Sequence, residues 1–299
     1  VDSVELAIMK ARNQGLDLAG VGLARHGGKE LSYNNIVDLV AAVKLVADFS
    51  TPCCGVIKHT NPCGLGLGAG KVGLERALSC DPVSAFGGVF AFNGTVDLET
   101  AEILASRFLE IVVAPAFAED ALARLTRKKN VRILTVDLER FARATRGRIR
   151  AWGSLGLWQE EDDGFPELAT WRVVAGAEPD AATRAALEMA WKVCKHGKSN
   201  AIVICGDKAT VGLGFGQMSR VDSVELAIMK ARNQGLDLAG TVAGSDGFFP
   251  FPDGVQKLAE AGVRAVIAPG GSIRDEEVAA AAAALGLTLV LTDRRHFNH

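Results

Sequence analysis

The chain has 299 residues, of which 33 are lysine or arginine and 35 are aspartate or glutamate, giving a formal net charge of -2. This near balance excludes the strongly basic surface with which proteins hold DNA or RNA, although one phosphate needs only a local site. The length suffices for two domains of ordinary size, or for one large unit built from two similar halves.

The chain begins with a segment, VDSVELAIMKARNQGLDLAG at residues 1–20, that recurs without a single change at residues 221–240. Both copies predict a helix with an aspartate as its N-cap, Asp2 or Asp222, and with the glycine of RNQG after its end. An ancient structural repeat would have diverged. A recent duplication, an artificial joint or an error in the recorded chain therefore explains the identity better than a working tandem array, which needs about three or more copies.

Further along the chain, short β-branched runs alternate with helical patterns. Buried strands are predicted at residues 56–57, 111–114, 131–136, 201–205, 265–268 and 288–292. Helices are predicted at residues 97–109, 118–125, 180–196 and 276–285. This alternation favours an α/β fold with helices layered on sheets. Residues 146–179 are rich in Gly, Trp and charge and lack a clear period, so we place the boundary there, between halves 1–150 and 151–299.

The expected location follows from two negative observations. No apolar stretch reaches the length of about 18 residues that a membrane helix needs, so no membrane association is expected. The chain shows no charged, apolar and small-residue leader, and its six cysteines lie in apolar or motif-like settings. We therefore expect reduced thiols in a soluble, cytoplasmic protein.

The most informative segment is GVIKHTNPCG at residues 55–64, an apolar strand that ends abruptly in polar residues, Pro and Gly. In open α/β sheets, ligands gather at the carboxyl ends of strands. Lys58 and His59 would point to opposite faces of a regular strand, so joint action requires the chain to leave the ladder there. The alternative is a solvated strand end with a chance Lys-His pair.

A zinc deaminase motif is a further alternative, and it fails. That motif needs His-x-Glu followed by Pro-Cys-x-x-Cys, whereas His59 is followed by Thr60 and Asn61, and Cys63 has Gly66 three places on. Cys53 and Cys54 are adjacent, unlike common zinc ligand pairs. No metal site is expected.

Several other segments combine glycine or aromatic residues with polar tips: GKELSYNN, DPVSAFGG, GFGQMSR, PGGSIRD, SDGFFPFPD and the final RRHFNH. Each alone is more often a turn, a capping loop, a core corner or a frayed end than a binding site. GFG also lacks the third glycine and the distal acid of a dinucleotide loop.

Taken together in chain order, KELSYNN, IKHTNPCG, DPVSAFGG, KKN, KSNAIV, GQMSRVDS, FFPF, PGGSIRDEE and RHFNH resemble the motif set of the aminoimidazole carboxamide ribonucleotide (AICAR) formyltransferase family. The resemblance implies two cytidine-deaminase-like α/β/α halves without zinc. It also implies a homodimer with active sites at the subunit interface. The expected reaction transfers a formyl group from 10-formyltetrahydrofolate to the 5-amino group of AICAR in purine biosynthesis.

The resemblance also assigns site residues. The catalytic positions are Lys58, His59 and Asn200. The substrate positions are Asn35, Arg220, Phe248, Arg295, Phe297 and His299. The folate positions are Val83, Gly87, Val221, Pro250, Phe251 and Asp253.

The chemistry gives the catalytic roles a physical reason. The substrate amine is a weak nucleophile, and a neutral imidazole suits removal of its proton, so we expect His59 to be the general base. Attack on the formyl carbon builds an oxyanion that the ammonium of Lys58 can stabilise. Asn200 would orient the amine or the carboxamide.

The chain departs from the family pattern in three ways. It lacks the Arg-Tyr-Gly-x-Asn-Pro-His-Gln segment whose Arg and Tyr help to hold the substrate phosphate, so weaker nucleotide binding is expected unless Arg25 or another basic group substitutes. Gly247 and Phe215 stand where the family usually has Ala. No cyclohydrolase domain is recognised, so ring closure is not expected. The alternative functions are a catalytically impaired nucleotide- or folate-binding module of the same fold, and a structural dimerisation domain.

Overall fold

A computed structural model of the chain describes residues 18–162, 164–165 and 170–299. The helix predicted for the first copy of the repeat falls almost entirely outside these residues. The described chain begins with a short 3-10 turn at Leu18–Val21. Among the helices of these ranges, none is both long enough and apolar enough to cross a bilayer.

The first half is a six-stranded sheet covered by helices. Its elements are β1 (Leu23–Gly27), α1 (Tyr33–Ala47), β2 (Cys53–Lys58), β3 (Asn61–Leu67), α2 (Gly70–Cys80), β4 (Val89–Phe92), α3 (Leu98–Ala105), β5 (Ile111–Ala114), α4 (Glu119–Thr126), β6 (Arg132–Val136) and α5 (Leu138–Ala144). The strand order is β1-β6-β5-β4-β2-β3.

A two-stranded antiparallel ribbon, β7 (Gly147–Trp152) and β8 (Leu155–Glu160), follows and has every residue exposed. The second sheet then forms from β9 (Arg172–Ala175), α6 (Ala181–His196), β10 (Ile202–Cys205), β11 (Thr210–Gly214), α7 (Arg220–Asn233), β12 (Val242–Ser245), α8 (Asp253–Glu260), β13 (Ala265–Ala268), α9 (Asp275–Ala284) and β14 (Thr288–Leu291). Its strand order is β11-β10-β12-β13-β14-β9.

The two sheets have the same topology. Read from its first strand, each runs in the chain order first, sixth, fifth, fourth, second, third. In each sheet the fourth, fifth and sixth strands are parallel, and the remaining pairs are antiparallel. Consequently β2 with its following turn in the first half corresponds to β10 with its following turn in the second.

The central strands of both sheets, such as β5 and β13, are buried on both faces, which explains their continuous apolar sequences. In β5, Ile111 and Val113 belong to a central core shared by both halves, whereas Val112 and Ala114 belong to the core under α2, α3 and α4. The central core contains residues of α1 and α6, including the fully buried Trp191. Helices α1 and α6 thus form a layer between the two sheets, and α7, α8 and α9 cover the far side.

The structure bears out the predicted mixed α/β architecture of two sheet-and-helix halves. Apart from the helix of the first repeat copy, which lies almost entirely outside the described residues, each predicted strand and helix corresponds to an observed element, within the shifts in bounds given above. One N-cap prediction was wrong: α7 begins at Arg220, and its N-cap is Ser219, whose hydroxyl accepts the N–H of Asp222. The interval 146–179, which showed no period, contains the ribbon and β9.

Candidate active site

The predicted catalytic residues Lys58 and His59 lie at a tight two-residue turn after β2. Strand β2 ends at Lys58, which pairs with Asn61 across a two-residue turn. The turn residues His59 and Thr60 have φ values of 51° and 64°. Positive φ at both central positions is the type I′ pattern, which normally selects Gly, Asn or Asp. A β-branched threonine there is strained, at a cost of order 1–3 kcal/mol.

Helix α1 holds this turn through one carboxylate. Asp38 accepts the N–H of Thr60 at 2.7 Å and the N–H of His59 at 3.2 Å. One turn earlier on α1, the side-chain oxygen of Asn35 accepts the N–H of Ser32 at 3.0 Å and completes a capping box. The predicted substrate residue Asn35 therefore lies next to the turn, with its carboxamide oxygen committed to the helix cap.

The side chain of Lys58 leaves the turn towards the DPVSAFGG loop. Its Nζ donates to the carbonyl oxygen of Phe86 at 2.7 Å. The ring of Phe86 is 62% exposed and stacks on Phe108 at 4.9 Å, and Gly87 donates its N–H to the Phe108 carbonyl. Lys58 thus contacts the loop that carries the predicted folate residues Val83 and Gly87, while His59 lies exposed at the tip.

The start of the same loop is fastened to the second half. Asp81 accepts both the N–H and the hydroxyl of Ser84, and it forms an ion pair with Lys230 of α7 at 2.6 Å. Burial alone would raise the pKa of Asp81, but the hydrogen bonds from Lys230 and Ser84 outweigh it, and the pKa is lowered. The loop is consequently anchored by an ionised carboxylate.

In the second half, Asn200 and Arg220 form one hydrogen-bonded pair. The guanidinium of Arg220 donates to the side-chain oxygen of Asn200 at 2.7 Å. The amide of Asn200 donates to the carbonyl oxygens of Gln217 and Met218 at 3.0 and 3.2 Å. Both polar ends of the predicted third catalytic side chain are therefore oriented by partners.

A buried carboxylate lies behind this pair. Asp246 is fully buried and accepts from Arg220 at 2.5 Å, from the backbone N–H of Ala201 at 3.0 Å and from the hydroxyl of Ser199. Ionic hydrogen bonds in a buried site are stronger than neutral ones. Asp246 thus fixes both Arg220 and the loop that carries Asn200.

Phe297 lies against the same group. A Cβ atom built on Gly247 would lie 2.5 Å from Nη2 of Arg220 and 2.9 Å from the ring of Phe297, so Gly247 separates these two predicted substrate residues. The other position that departs from the family, Phe215, packs its ring against Gly197. An alanine at 247 would press on both neighbours, which explains why glycine fits here.

The final segment is held in place. Ser199 donates its N–H to the Asn298 carbonyl, and His296 donates its N–H to the Asp246 carbonyl, each at 3.0 Å. The guanidinium of Arg295 lies 5.4 Å from the ring centroid of Phe297. The segment RRHFNH is therefore fixed by contacts with the second half and is not a frayed end.

The remaining predicted folate residues lie around the start of α7 and α8. Val221 follows Arg220 in the first turn of α7, and Asp253 opens α8. Phe251 is 49% exposed and lies under the guanidinium of Arg274 at 4.8 Å. Phe248 and Pro250 are half-buried in the same loop.

The two groups of predicted catalytic residues meet only indirectly within one chain. The side-chain oxygen of Asn61, next to the turn, accepts the N–H of Lys198 at 2.9 Å, and Lys198 lies two residues before Asn200. Within the described residues, no hydrogen bond joins Lys58 or His59 to Asn200. Single-chain geometry therefore brings together Asn200, Arg220 and Phe297, and separately Lys58, His59 and Asn35.

Sequence analysis missed Asp38 and the structural role of Asp246. Asp38 lies three residues after Asn35 on α1, and this helical spacing was the available signal. Asp246 lies in the segment SDGFFPFPD, which the sequence marked only for its glycine, aromatic and polar residues.

The cysteines carry no sign of metal chemistry. All six are buried and unpaired with one another. Burial raises the pKa of Cys53, Cys63 and Cys80 to about 12, so these thiols stay protonated. In the part of the chain that the structure describes, no three His, Cys, Asp or Glu side chains are grouped to hold a metal ion.

Comparison with known proteins gives one consistent result. The AICARFT/IMPCHase bienzyme family model matches residues 7–230. The bifunctional purine biosynthesis protein PurH of Desulfitobacterium hafniense is 48% identical over 273 residues, covering 91% of this chain and 52% of the relative. PurH of Chloroflexus aurantiacus is 48% identical over 276 residues, covering 91% of this chain and 54% of the relative. The chain spans about half the length of these curated relatives.

Proposed function

The chain belongs to the AICARFT/IMPCHase bienzyme family, and we propose that it transfers the formyl group of 10-formyltetrahydrofolate to the 5-amino group of AICAR. The products are formyl-AICAR and tetrahydrofolate. Since the chain covers about half of its relatives, the proposal concerns the transferase alone and leaves out ring closure.

The observation that carries the proposal is the Lys58–His59 pair at the end of β2. An ammonium and an imidazole follow one another at the carboxyl end of a buried strand, on a turn that a separate carboxylate holds in a strained conformation. Strain of this kind is retained where the surrounding structure over-determines it, and it clusters at functional sites.

Each group has a role that its surroundings support. His59, exposed at the tip, accepts the proton of the amine as it attacks the formyl carbon. Lys58 stabilises the oxyanion that forms, and its contact with the DPVSAFGG loop places its charge beside the proposed folate side. Asn200, oriented by Arg220, positions the amine or the carboxamide.

We assign the substrate side to Asn35, Arg220, Phe248, Arg295, Phe297 and His299, and the folate side to Val83, Gly87, Val221, Pro250, Phe251 and Asp253. Half-exposed aromatic rings such as Phe251 and Phe297 suit flat heteroaromatic ligands. The common topology of the halves supports a cytidine-deaminase-like fold for each, with the boundary near residue 150.

We further propose a homodimer whose subunits share each active site. Large apolar side chains of the predicted motifs are exposed on the single chain: Val83 is 74%, Met218 93% and Ile273 102% exposed. Such exposure favours a surface that a second copy covers.

A mixing experiment tests the shared site. Equal amounts of Lys58→Ala and Asn200→Ala chains, refolded together, should restore about a quarter of the activity, because half of the dimers are mixed and each mixed dimer has one of its two sites intact. No recovery would contradict a shared site.

We also propose weaker nucleotide binding than the family pattern implies, because residues 1–27 contain no Arg-Tyr-Gly-x-Asn-Pro-His-Gln segment. Arg25, a possible substitute, donates to the carbonyl oxygen of Lys29 at 2.9 Å on an exposed strand. Calorimetry that gives an ordinary micromolar dissociation constant for AICAR would refute this expectation.

The direct test incubates the full chain with 10-formyltetrahydrofolate and AICAR and follows the release of tetrahydrofolate. Turnover supports the transferase. Tight binding of either ligand without turnover would instead support the impaired binding module. If the chain shows no binding and no turnover, the structural dimerisation domain is the function that is left.

We also propose that the protein works in the cytoplasm without a catalytic metal, for which the buried, protonated thiols provide support.

A further inference from the structure

The two halves are joined at the edges of their sheets, along the strand that follows the turn after β2. That strand, β3, is an edge strand of the first sheet, and β11 is an edge strand of the second. The N–H of Leu65 donates to the hydroxyl of the buried Thr210 at 2.9 Å. The N–H of Leu67 donates to the carbonyl oxygen of Lys208 at 2.8 Å. This junction fixes β11, and α7 packed on it, relative to the first half.

Helix α7 reaches from a proposed substrate residue to the first half of the chain. Arg220 is its first residue, and Lys230 lies ten residues further along. At roughly 1.5 Å of rise per residue, about 15 Å of helix separates them. The ammonium of Lys230 crosses to the first half and pairs with Asp81 at 2.6 Å. One helix therefore carries a substrate-side residue at its start and a contact to the DPVSAFGG loop near its end.

The ion pair between Lys230 and Asp81 is largely shielded from water on the carboxylate side. The side chain of Asp81 is 9% exposed and that of Lys230 is 36% exposed. Shielded ionic hydrogen bonds are stronger than exposed ones, which water and salt screen. For comparison, the pair between Lys257 of α8 and Glu225 of α7 has a similar length, 2.7 Å, but its members are 40% and 57% exposed. Of these two pairs on α7, only the one with Asp81 reaches the first half.

From Asp81 the loop continues directly to the oxygen atom that holds Lys58. The carboxylate of Asp81 accepts the N–H of Ser84 at 2.9 Å and the hydroxyl of Ser84 at 2.6 Å. The carbonyl oxygen of Asp81 accepts the N–H of Ala85 at 3.1 Å. The next residue is Phe86, whose carbonyl oxygen accepts from Nζ of Lys58 at 2.7 Å. A displacement of Asp81 would therefore move the acceptor of the ammonium.

We propose that Lys230 is a positioning residue of the transferase, which places the ammonium of Lys58 by way of Asp81 and the DPVSAFGG loop. This inference rests on the proposed function, and it deepens that function by adding a residue that touches neither ligand. Without Lys230, Asp81 loses its counter-charge, and the turn of the loop built on its carboxylate loosens. The oxyanion would then form at some distance from the charge that stabilises it.

A double-mutant cycle on the full chain tests the route to Lys58. Lys230→Gln should lower kcat about tenfold to a hundredfold and change the KM for AICAR less, because a displacement of about 1 Å is this costly. Lys230→Arg should recover most of kcat, since a guanidinium still pairs with Asp81. In a Lys58→Ala background, Lys230→Gln should lower kcat no further, because the ammonium that it places is gone. Losses that multiply in the double variant would overturn the proposal.

The matched control is Lys257→Gln, which removes the exposed lysine–carboxylate pair with Glu225 on the same helix and should leave kcat unchanged. Asp81→Asn should resemble Lys230→Gln, and the two substitutions together should cost no more than either one alone. A loss of kcat in Lys257→Gln equal to that in Lys230→Gln would show that any weakening of α7 lowers turnover, and it would refute a specific role of Lys230.

A second measurement needs no turnover, so it separates this proposal from the proposed function. Hydrogen exchange read by mass spectrometry should show the N–H groups of Ser84 and Ala85 exchanging about tenfold faster or more in Lys230→Gln. Labelling of Lys58 by acetic anhydride should also become faster, because its hydrogen bond to the loop is weakened. Lys257→Gln should leave both rates as in the parent.

Unchanged exchange and labelling in a Lys230→Gln chain that keeps the circular dichroism of the parent would overturn the proposal. If both rates rise in Lys230→Gln while the unaltered chain has no transferase activity, the placement of Lys58 is supported and the proposed function alone fails. Should Lys230→Gln not fold, Lys230→Met takes its place in every arm, because it retains the apolar stem and removes only the charge.

Discussion

Asp38 on α1 and Thr60 in the turn after β2 are joined by a 2.7 Å hydrogen bond from the Thr60 N–H to the Asp38 carboxylate. The same carboxylate accepts the N–H of His59, so one side chain offsets the strain of two left-handed residues. The orientation of the proposed general base thus depends on a residue outside the turn.

Replacing Asp38 by Ala should lower kcat of the transferase about tenfold to a hundredfold while the KM for AICAR changes less, because the imidazole loses its position. Adding Thr60→Gly should recover part of kcat, since glycine adopts positive φ without strain. Steady-state kinetics on both variants provide the measurement. Normal kcat in Asp38→Ala, or no recovery in the double variant, would show that the carboxylate does not position the turn.

Lys58→Ala should lower turnover by orders of magnitude with little change in nucleotide affinity, because the ammonium acts on charge that develops only in the transition state. Turnover is followed by tetrahydrofolate release, and affinity by calorimetry with AICAR. Lys29→Ala, at an exposed position before α1, serves as the control. A Lys58→Ala enzyme with near-normal turnover would remove the assignment.

Asp246→Asn should destabilise the chain by about 3–5 kcal/mol, because it leaves the buried guanidinium of Arg220 without a counter-charge. Urea unfolding monitored by tryptophan fluorescence measures the change. Asp207→Asn, at an exposed turn in the same half, should change the free energy of unfolding by less than about 0.5 kcal/mol. Equal effects of the two substitutions would refute the importance of the buried pair.

Asp48 should make stability depend on acid pH. Burial alone would raise its pKa, but the hydrogen bond and charge of His196 and the charge of Lys195 outweigh this and lower it from 3.8 to about 2. A lowered folded-state pKa contributes stability that is present above pH 3.8 and is lost as the pH falls towards 2, worth about 2 kcal/mol in total. Urea unfolding between pH 5 and pH 2 should show this loss in the parent and a shallower one in Asp48→Asn. Parallel pH dependences would contradict it.

Most of the central buried strands could be predicted from the sequence because they are apolar on both faces, although the equally buried β4 and β12 were not among the predicted strands. Runs such as 111–114 and 265–268 match observed strands at both ends. Strands β3 and β11 were missed for a physical reason. They are rich in glycine because Cβ atoms at Gly64 and Gly214 would collide with the backbones of α2 and α7. Close helix packing thus removed the β-branched residues that mark a strand.

The ribbon escaped prediction because exposure removes the periodic signal. Ile149 and Trp158 face one side and Arg150 and Leu157 the other, and all four are exposed, so neither side reads as a core. At the candidate site, the motif residues were recognisable, but Asp38 was not, since an aspartate on a helix ordinarily belongs to a solvated face. Its partner lies on a different element, and only the folded chain brings them together.

Because the strand orders of the two halves match, the turn after β2 and the turn after β10 occupy equivalent positions in the fold. Strand β2 ends at Lys58 and is followed by His59 and Thr60, whereas β10 ends at Cys205 and is followed by Gly206 and Asp207. The turn after β2 thus carries an imidazole, and the equivalent turn after β10 carries none. The turn after β10 is therefore an internal reference for the turn after β2, because it has the equivalent position in the fold and lacks the histidine.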